Sequence, residues 1–330
     1  MTTPPRMPRR WMFEAGSNGH LLLFVTLSFC CRTLPAVTQQ LADPLEYRVI
    51  ALEAGHYCDD RPWRLVFEDE FLGDSLNTDV WLRFFPYCLN QDECQASRVH
   101  GWPGELQLFF DENVSLSGDG VLRMEARRGT LRHWYSAASV YSAGMIHSRS
   151  QFGKGRYECR ARVPKSTANY LWPSFWLFGG GPHCSEIDAL EVLWRASDTY
   201  HAALHRYNSV CDGSVADDNY GIELGELSDD FHVYRVDWAT WFVDFYVDEQ
   251  LIYRACRIYD LLARPVPQCE IKAGIYMQNQ AFPAQDAQVS VIAGLGLHKS
   301  PWVQASGAGI IIPDLPATME IDYIRVYQRE

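Results

Sequence analysis

Apolar and polar residues alternate with a period of two along much of the chain beyond residue 60. The alternation is clearest in three segments, Val121–Arg127, Arg156–Val163 and Trp241–Val247. Successive side chains of a strand point to opposite faces, so each segment predicts a strand with one buried and one solvated face. Turn-forming runs of Gly, Asp and Ser separate such segments, and no long amphipathic helix or fixed repeat is found. The pattern predicts an all-β fold, a two-sheet antiparallel β-sandwich or jelly roll.

Length and charge narrow the organisation and the function class. For the 330 residues we expect a leader over 1–40, a lead-in over 41–60 and a single β-domain over 61–330. Acidic residues outnumber basic ones by 41 to 29, which gives a net charge of −12. Binding to a phosphate backbone depends on clustered positive charge, so no nucleic-acid partner is expected.

The amino-terminal segment has the pattern of a signal peptide. Three arginines, Arg6, Arg9 and Arg10, precede the apolar run Leu21–Cys31. A basic flank before a short apolar core is typical of an export signal, and the run is too short to span a bilayer comfortably. A buried strand or a retained anchor is the alternative. We therefore expect a secreted, extracellular protein without stable membrane association after processing.

The cysteine number agrees with export. Eight of the ten Cys lie beyond the apolar run, and an even number in an exported chain predicts disulfides. The pairs that are close in sequence, Cys88 with Cys94 and Cys256 with Cys269, are the first candidates. The chain also contains one glycosylation sequon, which begins at Asn113.

Three carboxylates lie close together in the strand-like segment Ser185–Leu193 (SEIDALEVL). Glu186 and Asp188 share one face of a strand, whereas Glu191 would point to the other face of a regular strand. A β-bulge between Asp188 and Glu191 would restore a shared face. Crowded carboxylates raise at least one pKa, and two carboxyls flanking a sugar bond are the apparatus of a glycosidase. A solvated strand edge is the structural alternative.

The segment Glu186–Glu191 (EIDALE) resembles the ExDxxE signature of family 16 glycoside hydrolases, in the bulged form of laminarinase-like members. Other segments are similar to the family in the same order along the chain; these are Phe67–Phe71, Gly104–Gln107, Phe152–Glu158, Trp172–Leu177, Phe231–Tyr234, Phe245–Asp248 and Met319–Tyr327. The resemblance implies a jelly roll with a concave sheet that forms an open substrate cleft.

The resemblance also implies a role for each acid. Glu186 would be the nucleophile, Glu191 the general acid/base and Asp188 the assisting carboxylate between them. The implied activity is a retaining endo-hydrolysis of a β-linked polysaccharide, foremost a β-1,3-glucan such as laminarin, by double displacement. Open alternatives are a hydrolase or transglycosylase acting on another polysaccharide, such as a β-galactan of the agarose or carrageenan type, and a non-catalytic glucan-binding module. Retention of Glu186 and Glu191 argues against the binding module.

Aromatic residues are candidates for binding the sugar rings. Trp172 and Trp176 are four residues apart, so they share a strand face with Ser174 and could stack on sugars beside the acids. Packing in the core is the alternative for both. Trp134 is a weaker candidate for the same role.

Two histidines, His201 and His205, are four apart on Tyr200–Tyr207, a segment that could be a strand. His205 resembles a family histidine on the strand after the catalytic one, where it could hydrogen-bond in the cleft; a structural histidine is the alternative. No HExxH motif accompanies the pair, so catalytic zinc is not expected.

No cofactor is required by the implied mechanism. Members of the family often hold a structural calcium on the convex face, and Asp322 is a candidate ligand for such an ion. The polysaccharide substrate is the partner we expect, and the protein is expected to act as a monomer.

Three local features carry further expectations. Asp248-Glu249 replaces the family's Asp-Gly hairpin, so a different turn geometry is expected. Cys184 lies two residues before Glu186, which indicates a disulfide bracing the cleft. The acidic stretch Asp217–Asp230 predicts a solvated loop.

Overall fold

The computed structural model describes residues 47–56, 59–86, 104–128, 141–166, 170–179, 184–192, 197–208, 211, 214–266, 269–298, 312 and 314–329. These residues form strands, turns and one short 3-10 turn at Asp111–Asn113, with no α-helix among them. The first strands are β1 (Tyr47–Leu52), β2 (Gly55–His56), β3 (Trp63–Asp69), β4 (Trp81–Leu82), β5 (Gln107–Phe109), β6 (Val114–Leu116), β7 (Leu122–Arg128), β8 (Tyr141–Ala143), β9 (Met145–Phe152), β10 (Gly155–Arg162) and β11 (Leu171–Gly179). They are followed by β12 (Ser185–Glu191), β13 (Thr199–Tyr207), β14 (Ser214–Glu223), β15 (His232–Trp238), β16 (Phe242–Val247), β17 (Gln250–Cys256), β18 (Ile258–Tyr259), β19 (Glu270–Ile271), β20 (Gly274–Asn279), β21 (Val289–Leu297) and β22 (Ala317–Arg329).

Two large, mostly antiparallel sheets form the body of the domain. One has the order β17-β16-β15-β10-β22-β7-β8-β5, with β3 beside β22 and β6 beside β7. The other has the order β14-β13-β12-β11-β21-β9-β4. Two small sheets, β1-β20-β18 and β19-β2, accompany them. The predicted all-β sandwich is confirmed, and the seven-stranded sheet contains the acidic strand β12.

The core lies between the large sheets because alternate residues of each strand point inward. In β10, Tyr157, Cys159 and Ala161 are completely buried while the residues between them are half-buried, as the sequence pattern predicts. From the other sheet, Ile187 and Phe175 enter the same core. Burial of apolar area is the largest favourable contribution to such a fold.

Strand pairing begins earlier in the chain than the predicted domain start at residue 61. Tyr47–Leu52 pairs along its whole length with Gly274–Asn279, and Gly55–His56 pairs with Glu270–Ile271. Much of the predicted lead-in is therefore attached to the domain. Within the described residues, no helix has the length and hydropathy needed to cross a membrane.

The expectation of an unusual turn after β16 is wrong. Asp248 and Glu249 have φ values of 48° and 66°, the left-handed region that an Asp-Gly type I′ hairpin uses. Side-chain contacts offset the strain of a non-glycine residue there: Asp248 accepts a hydrogen bond from the amide of Val233 at 2.8 Å, and Glu249 accepts one from Arg235 at 2.6 Å.

The glycosylation sequon is not available in the folded domain. Asn113 is buried, and its side-chain amide donates hydrogen bonds to the carbonyl of Glu125 and to the hydroxyl of Ser142. Because attachment of a glycan needs an exposed amide nitrogen, the sequon has a structural role here.

Candidate active site

The three acids Glu186, Asp188 and Glu191 form one row on the seven-stranded sheet. Asp188 lies opposite Ala203 of β13, and Glu191 lies opposite His201. Between these pairs, two residues of β12 stand against one of β13, which is a β-bulge and is confirmed where the sequence predicts it. The bulge directs all three acids into the same cleft.

Each acid of the row is nearly buried. The exposed fractions are 8% for Glu186, 3% for Asp188 and 7% for Glu191. Burial, with a further contribution from the Asp188 carboxylate, raises the pKa of Glu186 to about 8 and the pKa of Glu191 well above its ordinary value. Burial also raises the pKa of Asp188. A raised pKa favours the protonated carboxyl that a general acid needs, and burial favours this form in both glutamates.

Two hydrogen-bond donors distinguish the two glutamates. The indole Nε1 of Trp172 donates to Oε1 of Glu191 at 2.8 Å, and the hydroxyl of Tyr207 donates to Oε2 of Glu186 at 3.1 Å. Each bond opposes the rise in pKa caused by burial. Tyr207 was not among the site residues predicted from the sequence, although its position two residues after His205 on a predicted strand places it on the same face.

His205 lies between two carboxylates. Its Nε2 is 3.2 Å from Oδ2 of Asp188, and its Nδ1 is 2.5 Å from Oδ1 of Asp217. Burial lowers the pKa of the imidazole, but the hydrogen bonds to Asp188 and Asp217 outweigh it and raise the pKa to about 12. The ring is therefore a cation inside an acidic cleft.

The cleft has a volume of about 350 Å³ and is open to solvent above the acid row. Trp172, Ser174 and Trp176 line it together, as their shared face predicts. Two glycines of β21, Gly294 and Gly296, lie opposite Ser174 and Trp172 and keep side-chain bulk out of the floor.

Trp176 is both packed and part of the cleft wall. It is 8% exposed, and its ring lies 6.2 Å from Phe85 and 5.9 Å from Phe178 between centroids. Trp172 is more exposed, and its ring meets His298 edge to face at 5.4 Å. Contact of either indole with a sugar stays a prediction.

The described residues that line the cleft include no Lys or Arg. Besides the three acids, the ionisable side chains are Glu105, His201, His205 and two tyrosines. The cleft therefore offers hydrogen-bonding and aromatic groups rather than a cationic surface.

The profile of glycosyl hydrolases family 16 matches residues 105–291, more than half of the chain, including the acid row. The chain belongs to this family. A glucan endo-1,3-beta-glucosidase A1 from Niallia circulans is 26% identical over 282 residues, which cover 81% of this chain and 38% of that protein. A beta-1,3-glucan-binding protein from Penaeus monodon is 31% identical over 243 residues, covering 57% of this chain and 61% of that protein. The family 16 chain thus spans less than two thirds of either relative.

The fold agrees with the family. The catalytic domain of an endo-1,3-beta-glucanase (laminarinase) from Thermotoga petrophila superimposes with a TM-score of 0.60 at 24% identity, covering 82% of this chain and 99% of that one. At this identity the likeness shows the fold, a jelly roll, and not the substrate.

The prediction of a solvated loop over Asp217–Asp230 is wrong for its first half. Ser214–Glu223 forms β14, an edge strand paired with β13. Asp217 contacts the active-site histidine, and Asp218 accepts hydrogen bonds from two side chains of other strands. Edge strands commonly carry charged residues, and for this reason the segment has the composition of a loop.

The disulfide predicted beside the cleft is present. Cys184, directly before β12, is bonded to Cys211, with the Cα atoms 5.6 Å apart. The proposed pair of Cys256 with Cys269 is wrong: Cys256 is a buried free thiol, whereas Cys269 belongs to another disulfide. Cys159, which points inward from β10, is also a buried free thiol, although it belongs to the even set of eight from which disulfides were predicted.

Asp322 as a calcium ligand stays a prediction. Its carboxylate accepts a hydrogen bond from Arg160 at 2.6 Å, and no group of three potential ligands in the described part of the chain includes it. The group that does meet the distance condition is Glu186, Asp188 and His205. Both ring nitrogens of His205 already face carboxylates, Asp188 at 3.2 Å and Asp217 at 2.5 Å.

Several sequence-based candidates lie outside the described residues. They are the leader over residues 1–40, the weaker sugar-binding candidate Trp134, and the pair Cys88 and Cys94.

Proposed function

We propose that this family 16 chain is a retaining endo-hydrolase of β-1,3-glucan. The observation that carries the proposal is the row of three buried acids, in which Glu186 and Glu191 are held by different donors and share Asp188 between them. Environments that separate the two glutamates allow one to act as a base or nucleophile and the other as an acid.

In the first half of the proposed reaction, Glu186 attacks the anomeric carbon while Glu191 protonates the leaving glycosidic oxygen. The hydrogen bond from Tyr207 and the positive charge of His205 favour the ionised form of Glu186. In the second half, Glu191 removes a proton from water, which attacks the glycosyl-enzyme from the same side as the departed group. The product keeps the β configuration.

Two observations support a β-1,3-glucan as the substrate. The Niallia circulans relative is named as an endo-1,3-beta-glucosidase. The described cleft lining has no Lys or Arg, so a sulfated galactan would meet acidic groups without basic partners. A neutral polymer fits such a cleft better.

A non-catalytic glucan-binding module is the second candidate, because the Penaeus monodon relative is named as a beta-1,3-glucan-binding protein. The complete acid row argues against it, since a binding surface gains nothing from three buried carboxyls whose ionisation is disfavoured.

Release of reducing ends from laminarin, lichenan, agarose and carrageenan, followed over time, tests the proposal. We expect laminarin to be cut internally, and proton NMR should show the β-anomer first. Glu186→Ala and Glu191→Ala should each lose several orders of magnitude, while Glu223→Gln, an exposed charge on the same sheet, keeps full activity.

Azide separates the two roles. With Glu186→Ala it should give the inverted glycosyl azide, and with Glu191→Ala the retained one. Initial release of the α-anomer by the wild-type protein would overturn the assignment, and binding of laminarin without cleavage would favour the module.

We also propose that the protein is exported. The disulfide between Cys184 and Cys211 and the bonded state of Cys269 support an oxidising compartment. Amino-terminal sequencing of the protein recovered from the medium should locate a cleavage site beyond the apolar run.

A further inference from the structure

The acid row has an unbalanced charge. Three carboxyls of β12 point into a cleft whose described lining lacks Lys and Arg, so His205 is the cation placed among them. Its charge lowers the pKa of Glu186, of Asp188 and of Glu191 alike. The orientation and charge of one ring therefore affect every acid of the row.

The orientation of that ring is determined by a residue outside the cleft. Asp217 of β14 lies opposite His205 in the strand register and accepts the hydrogen bond of its Nδ1 at 2.5 Å. Asp217 does not line the cleft, and its side chain is 40% exposed on the far side of the ring. The hydroxyl of Ser214 also donates to Asp217, which holds the carboxylate in place. With Nδ1 held in this way, Nε2 faces Asp188.

We propose that Asp217 is a positioning residue for the catalytic row, which holds His205 as a cation through the hydrogen bond at Nδ1, with Nε2 against Asp188. The proposal rests on the proposed glycosidase function. Asp217 touches no reacting atom; it acts through His205, in the way that a carboxylate behind a catalytic histidine fixes the orientation of the ring and stabilises its charge.

The groups around His205 explain the sign of the expected effect. Glu186, Asp188 and Glu191 face it from β12, Tyr207 lies beside it on β13, and Asp217 and Asp218 approach it from β14. Asp217→Asn removes the carboxylate that accepts from Nδ1 and keeps the size of the side chain. Proton binding to the ring is then weakened, while the contact of Nε2 with Asp188 remains. The cation should be lost at lower pH than in the wild type.

Histidine labelled with ¹⁵N reports the ring directly. We expect His205, assigned from the spectrum of His205→Asn, to remain doubly protonated at pH 8 in the wild type and in the matched control Glu223→Gln. In Asp217→Asn its titration midpoint should fall by at least about one pH unit. Hydrolysis of laminarin by that variant should show a kcat roughly tenfold lower with KM changed less than about twofold, because a positioning residue acts on the chemical step.

Ser214→Ala provides a second variant should Asp217→Asn fold poorly, and it should shift the midpoint in the same direction by a smaller amount. A neutral His205 at pH 8 in the wild type would overturn the proposal, and so would an unchanged midpoint in both variants. A wild-type kcat in Asp217→Asn would overturn it while the proposed hydrolase stands. Absence of hydrolysis by the wild type would refute the proposed function, and the ring titration would still decide whether Asp217 holds the cation.

Discussion

The hydrogen bond from Trp172 to Glu191 gives a prediction whose size can be worked out. Trp172→Phe keeps an aromatic ring in the cleft wall and removes the Nε1–H that donates to Glu191 at 2.8 Å. That bond favours the ionised carboxylate, so its loss raises the pKa of Glu191 further. In the first step Glu191 must be protonated, and its pKa therefore sets the alkaline limb of kcat/KM.

A hydrogen bond to a charged group is worth about 1.5–3 kcal/mol, and one pKa unit corresponds to about 1.4 kcal/mol. The indole can also donate to the protonated carboxyl. The hydrogen bond therefore favours the ionised over the protonated form by a free energy near the lower end of that range. We expect the alkaline limb to move to higher pH by about one unit.

The assay is kcat/KM for laminarin across pH 5 to pH 10, with Trp176→Phe as the matched control. Trp176 lies on the same strand and in the same cleft as Trp172, and replacing either indole by phenyl removes the same atoms. The control should change KM at most and leave the limb in place. An alkaline limb that stays fixed or moves to lower pH in Trp172→Phe would refute the reasoning.

Two further predictions concern stability and thiols. Glu191→Gln should raise the free energy of unfolding more at pH 8 than at pH 5, because the pKa of Glu191 is higher in the folded than in the unfolded protein. The contribution of the carboxyl to the free energy of unfolding is therefore full below about pH 4. At higher pH it is lost at about 1.4 kcal/mol per pH unit until the folded pKa is reached. Equal gains in Tm at both pH values would contradict this. A thiol reagent should label Cys159 and Cys256 only after denaturation without reductant, because both are buried free thiols; labelling of the native protein at either would contradict the structure.

Local rules explain what the sequence predicted well. The pleat of a strand has a fixed period of two, so the shared face of Trp172, Ser174 and Trp176 followed from their spacing alone. The bulge was required to place Glu191 beside Asp188, and it occurs between them. Tyr207 could have been found by the same rule.

Long-range pairing explains what the sequence could not show. Asp217 faces His205 only because β14 pairs with β13 in one register, and nothing local to an acidic segment specifies that register. The partner of Cys184 is 27 residues away in sequence, whereas the neighbours Cys256 and Cys269 are not bonded to each other. Proximity along the chain is a poor guide when strands bring distant residues together.

Because of the bulge in β12, the distance between the acids along the sheet is not set by the number of residues between them. From Glu186 to Glu191 the chain advances five residues, yet the facing strands advance four on each side, from Phe178 to Ser174 and from His205 to His201. The two regular neighbours thus act as templates, and they set the distance along the row. Deleting Ala189 would leave a regular strand that places the same two glutamates against the same template positions, whereas enlarging this completely buried residue would overpack the core that its side chain enters.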